Sequence, residues 1–285
     1  SDSVTVTTSW VAGETCTGTV GQMQACTYKG VLMLLLSPGI TGAPSQATQT
    51  TFIQQQLAAS TAKWKVCVWH YPLFDNSPGT GKSWDVFEAC RKGGAIVATA
   101  HSHLYMRSKT ISSFPTQTVD PSCNLPKMVC VALGKTFSFI SGLGGKSLGA
   151  QDRCLPTTPP YGCNGIWQKI YAAYQGANFG ALFIIFNYAG NPNRAYGYFK
   201  HVDGGIIDDF DIVLNSTPAI PAGGSTNLAL KKPVSASTTW ATAGYEAAKT
   251  VDGDLNTRWN AQSGMATNQW LRVDLGANMT YSEVI

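Results

Sequence analysis

Short apolar runs alternate with helix-like segments through the first hundred residues of the chain. The pattern predicts strands at 30–36, 64–69 and 95–99, and helices at 51–60 and 83–91, the second closed by Gly93 and Gly94. The order strand, helix, strand, helix, strand is typical of a parallel sheet covered by helices. The first part of the chain is therefore predicted to form an α/β layer.

Consecutive strands follow in the next part of the chain. From Val129 onward the apolar pattern predicts strands at 136–141, 180–188, 194–201 and 206–214. We expect them to form an antiparallel layer on the first sheet. Gly142-Leu143-Gly144 follows the first of these strands, and we expect a tight turn there with a positive φ at one or more positions.

A run rich in Pro, Gly, Ser and Thr at 215–226 interrupts the apolar pattern and is the best linker candidate. It divides the chain into a first domain, 1–214, and a second domain, 227–285, which shows turns and short strands. The expected fold class is α/β followed by a small β domain.

Composition excludes several classes of protein. With 44% hydrophobic and 13% charged residues, the chain is neither disordered nor a coiled coil. The net charge is +4 and no basic cluster exceeds a pair, so a nucleic-acid partner is not expected. The longest apolar runs, 31–36 and 181–186, are far shorter than the ~20 residues of a membrane span, so no transmembrane segment is expected.

Eight cysteines, all before residue 164, indicate an oxidising compartment, and we expect a secreted or cell-surface protein. Spacing favours three local disulfides and leaves a strand cysteine and a helix cysteine as the fourth pair: Cys16–Cys26, Cys123–Cys130, Cys154–Cys163 and Cys67–Cys90. Zinc ligation is the alternative, but no C-x-x-C pair exists. Sequons at Asn215 and Asn278 fit a glycoprotein.

Three of the four histidines lie in two segments that end predicted strands, V-W-H-Y-P around His70 and T-A-H-S-H at His101 and His103. Parallel strands place their carboxyl ends at one edge of a sheet, where ligand sites form. Residues i and i+2 of an extended chain point the same way, so His101 and His103 are expected to reach one pocket and hold one or two metals. The alternative is a set of hydrogen-bonded, partly buried histidines.

Three segments resemble the C-terminal half of the calcineurin-like metallophosphoesterases, including purple acid phosphatase relatives: KWKVCVWHYPLF (63–74), GGAIVATAHSHLYMRS (93–108) and FSFISGLGGKS (137–147). The resemblance extends over about residues 20–214. It implies the distal part of a four-layer αββα sandwich and a dinuclear centre of Fe, Zn or Mn. His70 and His101 would bind one metal and His103 the other. Tyr105 and Arg107 match family positions just beyond the histidines and would lie in the second shell, and Ala100 replaces the usual Gly.

The family's other ligand motifs, D-x-H, G-D-x-x-D and G-N-H-D/E, are absent from the chain. Three neutral imidazoles alone lack the carboxylate that bridges two cations and offsets their charge. Asp75 and Asp85 do not occupy ligand positions, and we expect a turn residue and a first-turn helix acid there. The chain is expected to hold at most half of the site, with the bridging Asp and the proton-donating His upstream of Ser1.

The tail is similar to the opening of discoidin or coagulation factor V/VIII type C domains, in the segments NLALKKPVSAST (227–238), KTVDGDLNTRWNA (249–261) and NQWLRVDLG (268–276). Such modules bind glycans or lipid head groups, so a glycan or cell-surface ligand is implied. Some members hold calcium in a loop that corresponds to Asp252, Asp254 and Thr257. A plain Asx turn is the alternative there. The three tryptophans of the tail are expected in its core: Trp240, Trp259 and Trp270.

The favoured function is a secreted phosphoesterase that hydrolyses phosphate esters at a dinuclear metal centre, with an appended surface-binding module. The alternative is a non-catalytic adhesion or matrix protein built on a degenerate phosphoesterase scaffold. A mononuclear three-histidine zinc site is a third hypothesis.

Overall fold

The computed structural model describes residues 14–72, 83–214, 229–241, 243–253, 257–265 and 267–276. The chain divides into two compact units, Ser1–Pro218 and Ala219–Ile285. The division falls inside the Pro/Gly-rich segment 215–226, which lies outside the described residues. Within the described part, no helix has the length and apolarity needed to cross a bilayer.

The described residues form sixteen strands and two α-helices. In chain order the strands are β1 (Thr15–Thr19), β2 (Met23–Tyr28), β3 (Val31–Leu36), β4 (Trp64–Val68), β5 (Ile96–Thr99), β6 (Tyr105–Ser108), β7 (Ile111–Ser113), β8 (Thr118–Val119), β9 (Met128–Val131), β10 (Ser138–Ser141), β11 (Trp167–Tyr171), β12 (Gly180–Ile185), β13 (Arg194–His201), β14 (Ile206–Leu214), β15 (Val234–Ala236) and β16 (Leu271–Val273), and the helices are α1 (Gln46–Ala59) and α2 (Asp85–Lys92).

An eight-stranded mixed sheet forms the centre of the first unit, in the order β1-β2-β3-β4-β5-β10-β6-β11. Its middle strands β3, β4, β5 and β10 are parallel. Helix α1 connects β3 to β4 and helix α2 connects β4 to β5, the crossovers that parallel neighbours need. The predicted parallel layer is therefore confirmed. The hairpin β1-β2 and the strands β6 and β11 flank it with antiparallel pairs, which the apolar pattern did not indicate.

The two helices cover one face of this sheet. In α1 the buried side chains Gln49, Ile53 and Leu57 are spaced four residues apart and face the sheet, and Ser45 caps the helix by accepting a hydrogen bond from the N–H of Thr48 at 3.1 Å. The helix begins five residues before the predicted start because its first turn is polar. Asp85 lies in the first turn of α2, as expected. Asp75 lies outside the described residues.

A four-stranded sheet, β12-β13-β14-β9, packs on the other face of the large sheet. The core between the two sheets includes Trp64, Ile96, Phe137, Phe210 and Ile212. The mixed α/β class is thus confirmed. The described residues supply three layers, helix, sheet and sheet, of the four that the resemblance implies.

Four disulfides lie in the first unit and leave no free cysteine among the described residues: Cys16–Cys26, Cys67–Cys90, Cys123–Cys130 and Cys154–Cys163. They are the pairs that the spacing favoured. The alternative of zinc ligation by cysteine thiolates is therefore wrong.

The second unit contains a two-stranded sheet, β15-β16. Trp240 is 39% exposed and Trp270 is 51% exposed, so the expectation that both lie in a core is wrong. Two strands offer no opposing apolar layer among the described residues, so large side chains stay in solvent. Trp259 is half-buried and donates a hydrogen bond from Nε1 to the carbonyl of Thr238 at 2.9 Å.

Candidate metal centre

His70 and His101 emerge at the same edge of the large sheet. Each follows the end of its strand by two residues, and β4 and β5 are parallel neighbours. The N–H of Ala100 donates to the carbonyl of His70 at 3.1 Å, which continues the pairing beyond the strand ends. His70 Nε2 and His101 Nδ1 come to lie 2.9 Å apart. The prediction that these histidines emerge together at the carboxyl ends of neighbouring parallel strands is confirmed.

The separation of the two ring nitrogens suits a shared metal. Imidazole nitrogens bind zinc at about 2.0–2.1 Å, so two of them on one ion lie about 3 Å apart. In the structure the same contact is a hydrogen bond between the two rings, as the alternative interpretation expects, but both side chains are exposed and not partly buried. The ring of Tyr71 packs against both, with centroid distances of 4.9 Å to His70 and 4.4 Å to His101. The donor pair therefore fits one metal ion, and Tyr71 restricts the two rings.

The backbone at His101 adopts the left-handed region, with φ at 59°. Non-glycine residues rarely occupy this region, and they cluster at functional sites when they do. The chain then turns tightly, because the N–H groups of Ser102 and Leu104 bond the carbonyls two residues earlier, both at 2.7 Å. The expectation of an extended His101–His103 segment is therefore wrong. Ala100 stays outside the left-handed region, so its Cβ is tolerated.

His103 is held apart from the pair. Its Nδ1 contacts the hydroxyl of Ser147, and His101 and His103 line one cavity of about 240 Å³. Within the described ranges, one group of three metal-ligating side chains has its ligand atoms within 4.8 Å of one another, and it consists of Glu14 and the disulfide-bonded Cys16 and Cys26. The three histidines do not form such a group. A mononuclear three-histidine zinc site needs three converging imidazoles, so this geometry does not support that hypothesis.

The glycine-rich segment 142–149 supports the histidine loop 101–104. Gly142 N–H donates to the carbonyl of Leu104 at 3.0 Å, and Gly149 N–H donates to the carbonyl of His103 at 2.6 Å. A Cβ at position 142 would lie 1.8 Å from the carbonyl oxygen of Ser102. No residue of the predicted turn 142–144 has a positive φ, so that expectation is wrong, and the positive φ lies at the next residue, Gly145, at 124°. Gly142 is required for a different reason, the close approach of two backbones.

Tyr105 and Arg107, which were expected to support the histidines, bond Asp208 instead. The Tyr105 hydroxyl donates to Asp208 Oδ2 at 2.7 Å, and Arg107 donates to Asp208 Oδ2 at 2.6 Å and to Oδ1 at 2.9 Å. None of these bonds reaches a histidine, because β6 directs both side chains toward β14 of the second sheet. The expected role at the site is therefore corrected to a structural link between the two sheets.

Burial and the Asp208 charge set the protonation of this link. Burial raises the pKa of the Tyr105 hydroxyl well above its usual value, and the carboxylate of Asp208 adds to the effect. Burial alone would lower the pKa of Arg107, but its hydrogen bonds and ion pair with Asp208 raise it. Asp208 was not predicted from the sequence. Its signal is an acid at an inward position of β14, in alternation with Phe210 and Ile212.

In the second unit, part of the calcium candidate lies within the described residues. The Thr257 hydroxyl lies 2.9 Å from both carboxylate oxygens of Asp252 and 3.1 Å from the carbonyl oxygen of Lys249. Asp254 and both sequons, Asn215 and Asn278, lie outside the described residues. The calcium site and the glycosylation remain predictions.

Residues 233–285 match the family model of the F5/8 type C domain, which confirms the discoidin-like tail. No curated protein matches the chain. The chain is similar to the solved structure of a purple acid phosphatase from yellow lupin (Lupinus luteus) seeds, with 17% identity, a TM-score of 0.49, and coverage of 68% of this chain and 33% of that one. It is also similar to PhoD, with 13% identity, a TM-score of 0.36, and coverage of 69% and 45%. The tail of the chain is thus similar to the F5/8 type C domain, and the chain spans less than half the length of either solved structure.

Proposed function

We propose that the first unit is the histidine-bearing part of a secreted phosphoesterase with a dinuclear metal centre. The observation that carries the proposal is the pairing of His70 and His101 at 2.9 Å, at the edge of a parallel sheet and next to the cavity that His103 lines. His70 and His101 would hold one metal and His103 the other. Iron, zinc and manganese all accept imidazole ligands.

Bound metals of this kind supply Lewis acidity toward a phosphoryl oxygen. The three imidazoles are neutral donors, so they leave the positive charge of two cations uncompensated. A phosphate ester is an anion and is attracted to such a site. The bridging carboxylate and the proton donor are proposed to come from residues outside this sequence.

The test measures metal content and hydrolysis of p-nitrophenyl phosphate by the full-length protein. Wild type is expected to bind two transition-metal ions, and His101→Ala to lose at least one of them together with turnover. His201→Gln is the matched control, because His201 lies in β13 and not at the centre. Absence of metal from wild type, or metal affinity and turnover unchanged in His101→Ala, would contradict the proposal.

A second function is a non-catalytic adhesion or matrix protein. The absence of the three carboxylate motifs from the sequence, together with the F5/8 type C domain, favours it. It predicts binding to a glycan or cell surface without phosphatase activity. Hydrolysis that chelators abolish and Zn, Mn or Fe restores would exclude it. Either function fits an extracellular setting, since disulfides persist in oxidising compartments.

A further inference from the structure

A loop that the sequence motifs do not include forms the second wall of the histidine cavity. The cavity lies between the histidine loop and segment 149–154, and its lining includes Asp152 and Arg153 as well as His101 and His103. Asp152 and Arg153 are exposed at its rim. A cation and an acid therefore border the same cavity as two candidate metal ligands.

The backbone that carries Arg153 is held by a buried amide. Gln151 is 2% exposed, and its Nε2 donates to the carbonyl oxygens of Arg153, Cys154 and Pro156 at 3.1, 3.2 and 3.3 Å. Gln175 Nε2 donates to Gln151 Oε1 at 2.5 Å, which fixes the orientation of the amide. A buried amide that is hydrogen-bonded to three carbonyls of one short loop constrains the backbone of that loop.

Two further links tie the loop to the site. The disulfide Cys154–Cys163 closes it on one side. On the other side, the N–H of Gly149 donates to the carbonyl of His103 at 2.6 Å, so the first residue of the loop is hydrogen-bonded to the histidine loop. The backbone at Arg153 is therefore tied to the segment that carries His103.

We propose that Arg153 binds the phosphoryl group of the substrate at the rim of this cavity, which the candidate ligands His101 and His103 also line. A guanidinium is always charged and presents paired N–H donors that match phosphate oxygens. Asp152 opposes this attraction and limits affinity for the anion. The proposal rests on the proposed function, because the substrate is taken to be a phosphate ester.

Inorganic phosphate is the probe, titrated by calorimetry into the metal-loaded full-length protein. Arg153→Gln is expected to raise the Kd for phosphate about tenfold or more, because a charge-assisted bidentate contact is lost. The Kd of Arg153→Lys should lie between those of wild type and Arg153→Gln, since lysine keeps the charge but lacks the paired N–H donors of the guanidinium. Asp152→Asn is expected to lower the Kd. Arg272→Gln in β16 makes the same change in the second unit and should leave the Kd unchanged.

Turnover separates this role from a structural one. Arg153→Gln should raise KM for p-nitrophenyl phosphate while metal content and the far-UV spectrum stay as in wild type. A phosphate Kd for Arg153→Gln equal to that of Arg272→Gln overturns the inference and leaves the proposed function intact.

The same titration on metal-free protein keeps the two proposals distinguishable. If wild type holds no metal but Arg153→Gln still weakens phosphate binding, the proposed function fails and the anion site stands. If wild type binds no phosphate in either state, the inference fails as well.

Discussion

Asp208 is the counter-ion of Arg107, whose guanidinium is buried between the two sheets. Arg107 is 1% exposed, lies 4.1 Å from the centroid of the Phe210 ring, and bonds both oxygens of Asp208. A buried ion pair contributes little net stability compared with an apolar pair, but removal of one partner leaves a charge without compensation. The stability of the first unit should therefore depend strongly on this carboxylate.

Asp208→Asn is expected to lower the free energy of unfolding by about 3–5 kcal/mol, because the buried guanidinium loses its counter-charge. The neighbouring Asp209→Asn is the control, since Asp209 pairs with Lys127, whose side chain is 75% exposed, and such pairs contribute about 0–1 kcal/mol. Urea unfolding of both variants provides the comparison. Similar losses of unfolding free energy in the two variants would show that the buried ion pair contributes no more to stability than the exposed one.

Single residues differed in how far the sequence could predict them. His70 and His101 were predictable because each follows a strand whose direction the crossover helices determine. The left-handed φ of His101 was not predictable, because it accompanies a tight turn at 101–104 that the apolar pattern does not indicate. Arg107 was assigned to the site because of its position in the motif. Its ion-pair partner, Asp208, lies 101 residues further along the chain, in β14.

Backbone hydrogen bonds from a neighbouring segment hold the histidine loop 101–104 in place. The glycine segment 142–149 follows β10, which pairs with β5 in parallel, and it donates two hydrogen bonds to the histidine loop. The glycines predicted a tight turn at 142–144. Its second role, as the support of the histidine loop, requires the sheet order β5-β10-β6, which local sequence patterns do not encode.

Gly142→Ala should displace the histidine loop, since the added methyl would lie 1.8 Å from the carbonyl oxygen of Ser102. We expect about 1–3 kcal/mol loss of stability and roughly tenfold or greater loss of metal affinity. Gly144→Ala is the matched control, because a Cβ there meets nothing within 4 Å and its φ is not positive. Thermal unfolding and a zinc titration measure both effects. Equal behaviour of the two variants would contradict the close-approach argument.

Helix α2 is joined to the loop beyond β7 by Glu88. Its Oε1 accepts from the Phe114 N–H at 2.9 Å and from Arg91 Nε at 2.8 Å. Partial burial alone would raise the pKa of Glu88, but these hydrogen bonds and the Arg91 charge lower it below its ordinary 4.5. A carboxyl with a lowered pKa binds fewer protons when folded, so its stabilisation is present above the unfolded pKa and is lost as pH falls through the folded value.

Wild type should therefore unfold at a higher temperature than Glu88→Gln at pH 7, and the difference should shrink as pH falls below about 4.5. Circular dichroism melts from pH 7 to pH 3 test this. A difference in Tm that stays constant over the whole range would place the effect of the substitution in packing and not in charge.

The whole molecule joins two units with different means of stabilisation. The first has layered cores and all eight cysteines. The second has a two-stranded sheet in its described part, exposed tryptophans and no cysteine. Alternating strands and helices were sufficient to predict the parallel centre of the first unit. The β1-β2 hairpin was missed because β1 reads TCTGT and is largely exposed, so it has no apolar alternation to detect.

Reduction of the protein should act on one unit alone. Each disulfide closes a loop with a sequence separation between 7 and 23 residues. A disulfide that closes a loop of this size stabilises the folded state by about 2–4 kcal/mol. Cys67–Cys90 joins β4 to α2, next to the strand end that carries His70, so its loss should increase hydrogen exchange in β4, β5 and the histidine loop. Hydrogen exchange followed by mass spectrometry, with and without reductant, reports each segment separately. Exchange in β15 and β16 should not change, and parallel loss of protection there would show that the two units unfold as one.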